Sequence, residues 1–320
     1  MDLTVLISSA GRRVGLIECF RHAARRAGLS PTVLACDQNP AMSAACWAAD
    51  QCFPVPACTH PEFSDAMLEI VRAFGVRLVV PTIDPELAPL AVAAERFAQV
   101  GARVHVSPPP VIEVVRDKLR TVEVLGAAGV PVPVTIALDQ LGPCRRSLTW
   151  PMFLKPAGGS ASRGIRIIHD PDELPANPEE PMVLQELLRG PEYTVNMFID
   201  QRGHMCSAIA HRRLQVRAGE VEKGRTERNP LFYDLATLVA RALPEARGVM
   251  CFQAILDERL GPRVFEVNAR FGGGYPLAHH AGAEYARWLL EEVAGLPARP
   301  HDDWRDGVLM LRYDAAFFEG

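Results

Sequence analysis

Glu266, Asn268 and Arg270 stand two apart in the run Val264-Phe265-Glu266-Val267-Asn268-Ala269-Arg270. A period of two puts them on one face of a strand and leaves Phe265, Val267 and Ala269 for a core. Carboxylate and amide oxygens are hard donors for Mg²⁺, and a guanidinium fork matches phosphate. In a row they suit a divalent cation and the phosphate oxygens it bridges. The same spacing also serves the water-facing side of any edge strand. Gln253 lies thirteen residues before Glu266, in another apolar run, Val249 to Leu256. Asp257-Glu258-Arg259-Leu260-Gly261-Pro262 reads as the turn of a hairpin that would set Gln253 beside Glu266.

Other groups have types suited to phosphate or a small anion. An apolar strand ends in Lys155 and leads into a Gly/Ser loop containing Gly158, Gly159, Ser160, Ser162 and Gly164. The N–H groups of such a loop can fold over phosphates while a nearby Lys adds a point charge. It is not a Walker A loop, and a hairpin loop of any purpose has this composition. Met182 to Asn196 runs from a strand ending in Gln185-Glu186, through a hinge at Leu187 and Leu188 and a Gly190-Pro191 turn, to Glu192. Peptide groups can satisfy an adenine edge, and a carboxylate can accept from two hydroxyls. A plain β-turn before an exposed Glu reads alike. Lys223 and Arg225 sit in a polar loop, either solvated or aimed at a phosphate.

These groups need elements to hold them. Residues 1 to about 107 alternate short apolar runs with helical patterns, which predicts a parallel, doubly wound sheet. Ligands of such sheets sit at the strands' carboxyl ends. Gly11 and Arg12, Asp37, and Asp84 and Glu86 fall there. With no G-x-G-x-x-G after the first strand, a small anion on Gly11 and Arg12 fits better than a dinucleotide. Solvated arginines and a capping Asp84 are the bland alternative. Pro108-Pro109-Pro110 marks a boundary, and one helix is expected from there to Gly126, carrying Lys118 opposite its apolar stripe.

In their order these elements resemble the ATP-grasp superfamily, in particular ligases like the large subunit of carbamoyl-phosphate synthase, from Thr4 to about residue 295. The resemblance implies a mixed α/β and α+β chain. A Rossmann-like pre-ATP-grasp domain (1–110) would precede a two-lobed ATP-grasp fold of antiparallel sheets with a lid, its small lobe 111–187 and its C-terminal lobe 188–320. It implies ATP and Mg²⁺ (or Mn²⁺) as cofactors, with Gln253, Glu266 and Asn268 on the metal. Lys118, Lys155 and the Gly158–Gly164 loop would meet the phosphates. The hinge after the Gln185-Glu186 pair, at about Glu186 to Leu188, would read adenine, Gln185 would belong to the nucleotide site, and Glu192 would hold the ribose. Arg270, with Lys223 and Arg225, would steady an acyl phosphate. Gly11, Arg12, Asp37, Asp84, Glu86 and Gly273 would hold the acceptor, a small carboxylate such as an amino acid, for attack by an amine or other nucleophile. Many relatives have a second carboxylate where Gln253 stands, which puts two-metal occupancy in doubt. A non-catalytic nucleotide-binding protein on the same fold is the alternative.

The 320 residues carry a formal net charge of −4 and are 48% hydrophobic. No basic tail recommends nucleic acid or an anionic membrane as partner. No apolar run is long enough to span a bilayer. The N-terminus enters a strand directly, without a signal peptide's charged region. Eight scattered cysteines without a C-x-x-C pair predict reduced, packed thiols in a cytoplasmic protein.

Overall fold

The computed structural model describes residues 1–142, 147–158 and 164–318. Three sheets organise them. The first is parallel and contains β1 (Asp2–Ser8), β2 (Ser30–Asp37), β3 (Gln51–Pro54), β4 (Val76–Pro81) and β5 (Arg103–Val104), in the order β3-β2-β1-β4-β5. Its apolar strands are buried between α1 (Val14–Arg26), α2 (Ala44–Ala48), α3 (Phe63–Phe74) and α4 (Leu87–Ala98), as parallel strands require. The strand β3 and helix α2 are too short to leave a period in the sequence.

Where one helix is expected after the three prolines there are two, α5 (Pro109–Arg116) and α6 (Lys118–Ala127). Asp117 separates them in an extended conformation, and its Oδ1 accepts from the Leu119 and Arg120 N–H groups. A capping Asp is stabilised outside the helix it starts, so Lys118 becomes a first-turn residue.

The second sheet is antiparallel, β6 (Thr135–Ala137), β7 (Met152–Pro156), β8 (Arg166–Ile168) and β9 (Met182–Glu186), in the order β6-β9-β7-β8. It closes on a small core of Leu141, Met152, Leu154, Ile168 and Leu184.

The third sheet follows with β10 (Glu192–Ile199), β11 (Met205–Arg217), β12 (Glu220–Thr226), helix α7 (Pro230–Ala242), β13 (Gly248–Asp257), β14 (Gly261–Asn268), helices α8 (Tyr275–Ala281) and α9 (Tyr285–Ala294), and β15 (Leu309–Leu311). The strand order is β14-β13-β10-β11-β12-β15. The polar loop expected around residues 211–227 is instead a long hairpin of β11 and β12. The two sides of its turn alternate regularly enough to pair, although charged side chains hide the pattern. Helix α1 packs against α8 and α9 through Phe20, Phe271, Tyr275, Tyr285 and Trp288. That joins the first sheet to the third.

Cys46 and Cys52 form a disulfide, which corrects the expectation of reduced thiols throughout. The turn from α2 into β3 brings their Cα atoms to 5.1 Å. Cys19, Cys36, Cys58, Cys206 and Cys251 are free.

Candidate active site

The hairpin of β13 and β14 sets Gln253 directly opposite Glu266 and Cys251 opposite Asn268. The alternation along β14 is broken once. Ala254 pairs with Val264 rather than Phe265, a bulge that leaves Phe265 over. Val264 therefore takes the core position, fully buried, and Phe265 leaves the core expected for it to line a cavity with Glu266. Beyond the bulge, Val267 and Ala269 are buried as the period requires.

Glu266, Asn268 and Arg270 form a chain of hydrogen bonds along the strand. Asn268 Nδ2 donates to Glu266 Oε1 at 3.2 Å, and Arg270 Nη2 donates to Asn268 Oδ1 at 3.0 Å. Arg270 also grips Asp84 bidentately, Nη2 to Oδ2 at 2.6 Å and Nε to Oδ1 at 3.1 Å. Burial alone would lower the Arg270 pKa, but the Asp84 carboxylate holds it above its ordinary value.

A cavity of about 790 Å³ opens between the second and third sheets beside Glu266 and Gln253. It gathers Lys118 from α6, Lys155 and Gly158 from β7 and the residues after it, Gln185 to Leu188 from the end of β9, and Glu192 from β10. Lys155 is buried, donates from Nζ to Gln185 Oε1 at 2.8 Å and lies 5.4 Å over the Phe265 ring. Its pKa falls to about 8, because burial penalises the ammonium. Gln185 thus holds the lysine at the cavity wall that both residues line. Lys118 Nζ donates to Gly158 O at 3.1 Å, and burial lowers its pKa too. Gly159, Ser160 and Ser162 of the expected phosphate loop lie outside the described residues. Glu192 meets Arg213 Nε at 3.0 Å. Burial raises its pKa against the pull of that guanidinium. Arg213 is the basic side chain that β11 delivers to the cavity. Lys223 and Arg225, expected in that role, are exposed on β12 and line neither large cavity.

The carboxylates expected to meet an acceptor are engaged by their own chain. Glu86 is fully buried and accepts from Ser8 Oγ, Ser9 Oγ and the Thr82 and Ile83 N–H groups. It braces the loops after β1 and β4, and burial raises its pKa. Asp37 accepts from the N–H of Gly11 at 2.8 Å, so that N–H is already used. Asp84 holds Arg270.

Arg12 and Gly273 belong to a second cavity of about 560 Å³, at the loop after β1, the start of β12 and the segment after β15. There Glu220 draws three guanidiniums. Arg13 Nη1 lies at 2.7 Å, Arg312 Nη1 at 3.1 Å and Arg12 Nη2 at 3.4 Å. Arg312 also donates to Gly273 O. The triple glycine allows this approach. A Cβ on Gly273 would fall 2.6 Å from Glu220 Cδ, and one on Gly274 would fall 2.6 Å from the buried His211 Nε2. Glu220 and Arg312 carry no local signal, since they meet Arg13 only through the fold.

The family model described as ATP-grasp domain matches residues 115–274, and that described as PylC-like, N-terminal domain matches residues 5–105. Nothing among the curated proteins matches the chain. Among solved structures, the biotin carboxylase domain of Hydrogenobacter thermophilus 2-oxoglutarate carboxylase, in complex with MgADP, ADP and bicarbonate, is similar with a TM-score of 0.73 and 19% identity. The match covers 96% of this chain and 73% of that one. N5-carboxyaminoimidazole ribonucleotide synthetase from Thermotoga maritima gives 0.66 and 18%, covering 94% and 78%. L-amino acid ligase from Bacillus licheniformis gives 0.67 and 21%, covering 94% and 75%.

Proposed function

This chain belongs to the ATP-grasp family, and from that premise we propose that it is an ADP-forming ligase joining a small carboxylate to an amine. The observation that carries the reading is the 790 Å³ cavity, where the buried Lys155 and the half-buried Lys118 share a wall with Gln253 and Glu266. The proposal keeps the division of the chain near residues 110 and 187, with the nucleotide between the second and third sheets.

ATP would lie with its adenine edge on the peptide groups of Glu186 to Leu188 and its ribose on Glu192. Lys155, held by Gln185, and Lys118, tethered at Gly158 O, would neutralise phosphate charge. The donor set suits Mg²⁺, offering one carboxylate and the side-chain oxygens of Gln253 and Asn268, all hard, with phosphate oxygens and water completing the shell. No cluster of three acidic, His or Cys side chains able to hold a metal occurs among the described residues, so a one-carboxylate site fits one cation better than two. When bound, the cation would offset the charge that develops as the phosphoryl group transfers.

A carboxylate is a poor electrophile, and phosphorylation gives it a leaving group. The substrate carboxylate oxygen would attack the terminal phosphorus, the bond to the bridging oxygen would break, and ADP would leave. The amine would then attack the acyl carbon, and phosphate would depart with the former carboxylate oxygen. Arg270, oriented by Asp84, would face the oxyanion of that step.

Mixing the protein with ATP, Mg²⁺, pooled acids and an amine should release ADP only when acid is present. Glu266→Gln should lower that rate at least about 10²-fold with the fold intact by circular dichroism. ATP binding without acid-dependent ADP release would instead indicate a nucleotide-binding protein without this chemistry.

A further inference from the structure

The second cavity holds more positive charge than the proposed chemistry uses. Arg12, Arg13 and Arg312 share the single carboxylate of Glu220. The other acids on the cavity wall, Glu222 and Asp314, are both matched by Arg217. Four arginines thus face three acids, and each acid already has a guanidinium. Close by, Asp37, Asp84 and Glu86 are occupied by their own chain. A ligand carboxylate would be welcome there, and an ammonium would find no unclaimed acid and three guanidiniums to repel it. The remaining wall is apolar, with Val14, Leu16, Phe271, Pro276, Met310 and Phe317.

We propose that this cavity binds the ligase's acid substrate as a carboxylate with an apolar body and no ammonium group beside it. The Glu220 carboxylate holds the three guanidiniums in place until the ligand's carboxylate shares them. The inference rests on the ligase reading for the word substrate, but the site itself does not. It replaces the amino-acid acceptor expected from sequence, because the acids that would greet an amino group are engaged by the chain. The segment after β15 forms one wall, latched by Arg312 to Glu220 and Gly273 and by Asp314 to Arg217.

Calorimetry on the full chain without nucleotide tests this with isocaproate, L-leucine and acetate. Isocaproate and leucine share a carbon skeleton and differ by the ammonium. Isocaproate should bind at least about tenfold tighter than leucine or acetate. Arg312→Gln should weaken isocaproate about tenfold. Glu220→Gln should tighten it about threefold, since the guanidiniums lose their internal competitor. A merely structural cluster would weaken with both changes. Should Glu220→Gln unfold the protein, the exposed Arg12→Gln serves instead, and it should weaken isocaproate about threefold at unchanged melting temperature. Leucine binding tighter than isocaproate, or isocaproate affinity unmoved in Arg312→Gln and Arg12→Gln, overturns the proposal. ADP release with leucine but not isocaproate also overturns it while leaving the ligase standing. Binding as expected with no ADP released from any acid and amine leaves the site standing and removes the ligase.

Discussion

Lys155 shows how much of one residue's chemistry lies in its surroundings. In the sequence it is the last residue of a strand before a Gly/Ser loop. In the fold it is buried against Phe265 with one hydrogen bond, to Gln185, and its pKa falls to about 8. The sign of the coupling follows. In the empty protein near pH 8 about half the Lys155 side chains are neutral, and a triphosphate beside the amine favours the charged form. Binding of ATP at that pH should therefore take up about half a proton. Calorimetry in buffers of different ionisation enthalpy reads this directly. Lys155→Gln should lower the uptake, and an uptake unchanged in that variant would assign it elsewhere. Phe265 carries the opposite lesson. Strict alternation assigns it to the core, but a bulge at Ala254 passes that place to Val264. A bulge is one residue of backbone geometry and leaves no mark in apolar patterning. Lys223 and Arg225 were misread because charge was visible and strand pairing was not.

At the scale of elements, the hairpin that opposes Gln253 to Glu266 was legible from two apolar runs and a turn. The split of α5 from α6 was not, because its apolar stripe runs on through Asp117. That residue ends one helix and caps the next. Asp117→Ala should cost about 1 kcal/mol of stability in urea unfolding. Because Lys118 opens α6, the same change should raise KM for ATP more than it lowers kcat. Gly190 shows a tighter constraint at the turn between β9 and β10. Its φ is +155°, and a Cβ there would fall 2.0 Å from Leu256 O. Gly190→Ala should cost at least about 2 kcal/mol, measured by the same denaturation. A loss within error would mean that the turn relaxes freely.

Across the whole molecule, the Arg270–Asp84 pair ties the third sheet to the loop after β4. Both ends are largely buried, and no local pattern links residues 186 apart. Removing one partner leaves the other charge buried and unmatched. Asp84→Ala should lower unfolding free energy by about 3 kcal/mol, and the double variant Asp84→Ala/Arg270→Met should recover part of it. Equal losses in both would deny the pairing its role. The order of elements was readable from sequence because each apolar run keeps its own period. The meeting of Arg13, Glu220 and Arg312 was not, because it depends on α1 docking against α8 and α9. Among the described residues no helix is long and apolar enough to cross a membrane.

The small core under β6 to β9 has a consequence of its own. Leu141, Met152, Leu154, Ile168 and Leu184 pack with one another and with none of the larger clusters. A sheet that carries its own ballast can loosen without unpicking its neighbours' interiors. Its tie to the third sheet runs instead through the backbone, where the Leu256 and Glu258 N–H groups donate to the Pro191 and Arg189 carbonyls.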